Sequence, residues 1–125
     1  MSNIQEICRN VRKDIVTTLA AAGCGHPGGS LSAVEIVTEL YFDKMHVDPA
    51  NPRDPDRDRF VLSKGHATLM MYSVLAKRGY FSVEELKSFR KNWSRLPGHP
   101  DMNKVPGIDM TSGSLGQGLA AANGM

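Results

Sequence analysis

The sequence predicts an α/β fold class, mostly helical, with one clear parallel-type strand at 60–62. Three observations carry this. Apolar residues recur at steps of three or four along several stretches, the spacing of one helix face. Phe60-Val61-Leu62 is a short run apolar on both faces, as a strand buried in a parallel sheet would be. Ser63-Lys64-Gly65-His66 then turns that run into another helical pattern, giving a strand–glycine turn–helix unit. An α/β layer fold needs several strands. The expectation is therefore a partial domain over residues 1–125, incomplete at its C-terminal end, with its sheet completed by residues outside it.

Each element has a local cause. In residues 4–22, Ile4, Ile7, Cys8, Val11, Ile15, Leu19 and Ala22 form one apolar face. Asn3 with Glu6 has capping-box spacing, and Gly23 suits the C′ position. Gly23-Cys24-Gly25-His26-Pro27-Gly28-Gly29-Ser30 reads as a tight glycine loop. Ser32 with Glu35 opens a helix over 33–45 with a wide apolar face, and His46 near its end suits the macrodipole. Pro49, Pro52 and Pro55 keep 48–59 a loop, in which Asp54, Asp56 and Asp58 alternate with Arg53, Arg57 and Arg59. That run lacks the Gly and final Glu of an EF-hand and reads as a solvated, self-paired charge run. A helix over 66–78 places Leu69, Tyr72, Leu75 and Ala76 on one face and stops at Gly79. Ser82 with Glu85 caps a helix over 83–92, whose end Trp93 covers. Residues 101–109 form a loop, and Ser114 with Gln117 starts a last helix at Leu115.

Bulk properties narrow the function. A chain of 125 residues makes one domain at most. Hydrophobic content of 41% and charged content of 22% are ordinary for a globular chain. With a net charge of +2 and no basic run interleaved with aromatics, no nucleic-acid partner is indicated. No apolar run reaches membrane-spanning length, and the N-terminus lacks the pattern of an export signal. Cys8 and Cys24 have no metal-ligand spacing, and with no export signal a reduced, cytoplasmic protein is expected.

Histidines flanked by glycine carry the chemical signal: Gly25-His26-Pro27, Gly65-His66-Ala67 and Gly98-His99-Pro100. Glycine lets backbone approach a partner closely. The loop around His26 reads either as such an approach or as a plain helix connector. His66, beside Lys64 at a helix start, suits an anion such as phosphate, or simply caps a helix. Gly23, Gly25 and Gly28 match G-x-G-x-x-G, but a helix precedes them where a dinucleotide site needs a strand. Together the three histidines read as a polar pocket that binds hydroxyls and anions and moves protons. A three-histidine zinc site is the other reading, although separations of 40 and 33 residues match no local ligand pair. No covalent or electrophilic centre is evident, so catalysis here requires a cofactor for the hard step.

Four motifs in order resemble the start of a transketolase: Gly25-His26-Pro27-Gly28-Gly29-Ser30-Leu31; Asp58 through Ala67; Pro97-Gly98-His99-Pro100; and Gly113-Ser114-Leu115-Gly116-Gln117-Gly118. The chain is most similar to the N-terminal subunit of split, two-chain members. The resemblance implies the N-terminal part of a three-layer thiamine-diphosphate-binding fold. It also implies transfer of a two-carbon ketol unit from a ketose phosphate to an aldose phosphate. On that basis His26 and His99 face the sugar, and His66, Gly113, Ser114 and Leu115 meet the cofactor. Thiamine diphosphate and Mg²⁺ are the implied cofactors. The metal ligands, a Gly-Asp-Gly strand and a later Asn in family members, are not in this chain. Sugar phosphates, a homo-oligomer and a complementary C-terminal chain are the implied partners. Asn123 stands where the family has an aliphatic residue on a buried helix. A catalytically incomplete assembly module derived from that fold is the alternative.

Overall fold

In the computed structural model, which describes residues 2–125, one helix organises the rest. This helix, α4, spans Thr68–Arg78, following α1 (Ser2–Ala22), α2 (Pro27–Ser32) and α3 (Val34–Glu39). A short α5 (Gln117–Gly124) ends the chain. The sequence predicts one apolar face for α4, yet every residue from Thr68 to Ala76 is buried. Neighbours on all sides explain this: α1, α2, α3 and a 3₁₀ segment at Val83–Ser88 all pack against it. Gly79, at φ 110°, closes α4. Its N–H reaches Ala76 O and the N–H of Tyr80 reaches Leu75 O, the paired bonds of a Schellman stop.

α1 matches its expectation at the C-terminal end. Val11 and Ile15 are fully buried, and Gly23, at φ 72°, donates to Leu19 O at 2.9 Å. Its start does not match, because Asn3 lies inside the helix and caps nothing. The expected helix at 33–45 forms over residues 34–44, its last part as a π-helical turn, and a separate short helix precedes it. Pro27 begins α2 inside the predicted glycine loop, and Ala33 joins α2 to α3. α3 runs into a π-helical turn over Leu40–Lys44. Ser32 does not cap α3, because its hydroxyl donates back to Gly29 O at 3.1 Å. His46 pairs through its backbone instead of serving a helix end: its N–H meets Asp58 Oδ2 and its C=O accepts from Asp58 N–H.

The strand expected at 60–62 does not form, and no strand occurs among the described residues. A strand exists only when another pairs with it, and here side chains take its backbone groups. Asp109 Oδ2 accepts from Phe60 N–H at 2.9 Å, and the Ser112 hydroxyl donates to Leu62 O at 2.6 Å. Leu62 is still buried, as the apolar run requires. The same Asp109 changes the reading of the charged loop. Arg57 leaves the expected self-paired run and donates to Asp109 Oδ1 at 2.9 Å, with both side chains largely buried. A buried ion pair of this kind is stable only because hydrogen bonds satisfy its other atoms, here from Phe60 N–H and to Asp54 O.

Two further helices differ from their patterns. The helix expected at 83–92 stops as the 3₁₀ segment, because Glu85 pairs with Arg95 instead of closing the capping box. Ser82 still caps, accepting from Glu84 N–H at 3.2 Å. Arg90 then turns through φ 66° and donates to Leu96 O, so the chain folds back. Trp93 is 76% exposed, with the Lys91 ammonium over its ring, and does not close this segment as expected. The last helix begins at Gln117, two residues later than expected, behind Gly116 at φ 89° and with no side-chain cap. Asn123 is exposed on it, so the expected buried polar group does not arise.

Candidate functional site

The glycine-flanked histidines converge on the entrance to α4. His66 lies in the 3₁₀ turn Gly65–Ala67 that leads into that helix. His26 precedes α2, held extended by Pro27 at φ −122° and ψ 86°. The two imidazoles meet edge to face, with centroids 5.3 Å apart and planes at 70°. Gly29 makes room for them: a Cβ there would stand 2.9 Å from His66 Nε2.

The opening of α5 closes on the same turn. A Cβ on Gly65 would lie 2.9 Å from Gly113 N and 3.0 Å from Gly113 Cα, so only glycine lets these backbones touch. Ser112 holds this stretch, donating its hydroxyl to Leu62 O while its N–H meets Pro100 O at 3.3 Å. Beyond it, Gly118 lies against Ser63 and Leu119 N–H donates to Ser63 Oγ at 3.2 Å. Gly113 in turn borders His99, whose Cδ2 is 3.6 Å from the position of a Gly113 Cβ. The Tyr72 hydroxyl donates to Pro97 O at 2.7 Å and to His99 O at 3.4 Å, fixing the His99 loop to the core. Burial raises the Tyr72 phenol far above its ordinary range, so it remains a donor.

A continuous row results: His26, His66, Gly65, Gly113 and His99. Sequence reasoning singled out His26, His66, His99 and Gly113, and the structure brings all four together. Ser114 and Leu115 follow at the row's end, both exposed, with Leu115 at 69%. The row is an open face with exposed His26 and His99, and a separate depression lies between Arg53, Arg57 and Val105. The N–H groups of Gly113, Ser114 and Leu115 donate to no other backbone group among the described residues. Gly28 and Gly116 present bare backbone, with nothing within 4 Å of where a Cβ would stand.

Chemically, this face offers imidazoles for hydroxyls and protons, free N–H donors for an anion or heteroaromatic edge, and Lys64 as a cation. These groups fit a charged, ring-bearing organic ligand. Among the described residues no three His, Cys, Asp or Glu side chains gather to hold a metal, so the zinc arrangement is not built. Cys8 is buried and Cys24 exposed, and both are free thiols. Sequence reasoning missed Ser32, Tyr72 and Ser112, which hold the row through contacts 25 to 50 residues away. No periodicity signals such contacts. It also missed Gly29 as the spacer between helix and imidazole.

Residues 3–125 match the family described as transketolase, thiamine diphosphate binding domain. Over 123 residues the chain is 47% identical to the 6-deoxy-6-sulfo-D-fructose transketolase subunit SqwG of Clostridium sp. (strain MSTE9), covering 98% of this chain and 45% of that relative. Transketolase from Leishmania mexicana superposes with a TM-score of 0.91 at 35% identity, over 97% of this chain and 18% of that one. Transketolase of Pichia stipitis in complex with sedoheptulose-7-phosphate gives a TM-score of 0.87 at 42% identity, over 95% of this chain and 18% of that one. The chain spans less than half the length of the curated relatives it matches.

Proposed function

The chain belongs to the transketolase family, as the N-terminal part of its thiamine diphosphate binding domain, and from that premise we propose the role of its histidine-lined face. It forms part of an enzyme that transfers a two-carbon ketol unit from a ketose phosphate to an aldose phosphate. The observation that carries this is the row itself: residues up to 87 positions apart, His26 to Gly113, come together around a glycine contact that brings two backbones face to face. His66 and the backbone of Gly113, Ser114 and Leu115 would hold thiamine diphosphate. When bound, that cofactor supplies the carbon nucleophile these residues lack.

The chain's own part is binding, orientation and proton transfer. Free N–H groups at 113–115 and the start of α4 suit the cofactor's polar edges and its diphosphate charge. His26 and His99, both exposed on the row that contains His66, would hydrogen-bond sugar hydroxyls and transfer protons. Sugar phosphates fit this reading, since solved relatives carry sedoheptulose-7-phosphate or fructose-6-phosphate and one curated relative is named for a sulfofructose. Mg²⁺ on the diphosphate belongs to the same reading, with ligands supplied from outside these residues.

A complementary chain and a homo-oligomer would complete the site, in keeping with the split-subunit relative. No helix among the described residues is long and apolar enough to cross a membrane, and a cytoplasmic enzyme is the reading we favour. The test is complementation. This chain mixed with a complementary transketolase chain, thiamine diphosphate and Mg²⁺ is expected to give ketol transfer that His66→Ala removes. Transfer that persists in the His66→Ala mixture would contradict the assignment.

A further inference from the structure

We propose that Lys64 and Ser32 are positioning residues that fix the His26–His66 pair by clamping Gly29. The Lys64 ammonium donates to Ser32 Oγ at 2.9 Å, and the Ser32 hydroxyl donates to Gly29 O at 3.1 Å. Gly29 is the residue whose Cα faces His66, since a Cβ there would meet Nε2 at 2.9 Å and Cδ2 at 3.0 Å. It also sits two residues after Pro27 and so governs how His26 enters α2. The relay thus begins at Lys64, two residues before His66, crosses to α2 and returns to the His66 ring.

Ser32 explains why the relay is built this way. A serine before Val34 and Glu35 could cap α3, yet it leaves that role and orients its lone pair toward Lys64. The hydroxyl is satisfied as both donor and acceptor, and a charge-assisted bond of this kind is stronger than a neutral one. α2 contains two adjacent glycines and has no side-chain cap of its own, so its geometry depends on outside contacts. The clamp supplies one from the neighbouring turn. Its consequence is a fixed edge-to-face arrangement of two imidazoles on an otherwise open face.

The proposal concerns geometry within this chain and holds whether or not the face binds thiamine diphosphate. It predicts a spectroscopic signature, because each imidazole lies in the ring-current field of the other. The experiment records the ring-proton NMR signals of the four histidines in the 125-residue chain, comparing wild type, Lys64→Met, Ser32→Ala and Ser32→Thr. Lys64→Met and Ser32→Ala are expected to shift the His26 and His66 signals and leave His46 and His99 in place. Ser32→Thr, which keeps the hydroxyl, is expected to restore them. Unmoved His26 and His66 signals in either clamp variant would overturn the proposal. So would equal movement of all four histidines, or failure of Ser32→Thr to restore the pattern. Adding thiamine diphosphate and Mg²⁺ to wild type mixed with a complementary transketolase chain separates the two questions: a silent His66 there counts against the cofactor reading and leaves the clamp untouched.

Discussion

Gly65 is where one methyl group decides whether two stretches of chain can meet. A Cβ there would press on Gly113 N and Cα, which are backbone atoms and cannot swing aside. Gly65→Ala is therefore expected to destabilise the chain by about 1–3 kcal/mol, the usual cost of overpacking. Gly113→Ala meets only His99 side-chain atoms at 3.6 Å or more and is expected to be close to neutral. Denaturant midpoints of the two variants check this contrast, and equal losses would count against the close approach. Much of the site was legible at this scale. A glycine before each of His26, His66 and His99 marks backbone that must come close to something, and the structure shows what the backbone at Gly65 meets. The supports were not legible. Ser32, Tyr72 and Ser112 act across long separations, and one serine or tyrosine carries no pattern that announces a distant carbonyl.

The elements show why some local signals held and others failed. α4 and the end of α1 are set by short-range causes: apolar spacing, then a glycine in left-handed conformation. Their limits were readable to within a residue or two. Capping boxes proved weaker, because a polar side chain chooses its partner in three dimensions. Glu85 pairs with Arg95, and Ser32 with Gly29 and Lys64. The strand at 60–62 failed for a similar reason. Its apolar run is real and Leu62 is buried, but pairing is non-local, and Asp109 and Ser112 satisfy Phe60 N–H and Leu62 O in place of a neighbour. Two serines with the same motif should therefore differ. Ser82→Ala is expected to cost about 0.5–2 kcal/mol, as for loss of a working cap. Ser114→Ala removes no cap and is expected to leave stability unchanged. Thermal unfolding of the two variants decides between this account and the capping reading of Ser114.

For the whole molecule, the core constrains its pH range and the open face constrains its role. Burial raises the phenols of Tyr41 and Tyr72 far above their ordinary value, with the carboxylates of Asp109 and Asp101 adding to it. The folded state thus favours the neutral form, while the unfolded chain ionises tyrosine at about pH 10. That stabilisation is complete below about pH 10 and is lost as pH rises beyond it toward the folded values. Phenolate absorbance and circular dichroism followed together should change in one step above that pH. Phenolate appearing while the helical signal is intact, beyond what the half-buried Tyr80 gives, would contradict the burial. The open face carries the exposed Leu115 and Leu119 around the start of α5. The most direct test places residues 3–125 into a full-length transketolase in exchange for the matching segment. Saturation of ketol transfer by thiamine diphosphate is then measured for the chimera with His66 and with His66→Ala. A working chimera is expected, with a half-saturating cofactor concentration that rises at least about tenfold on His66→Ala, the loss of about 1.4 kcal/mol of binding. Unchanged cofactor saturation in the His66→Ala chimera would contradict it.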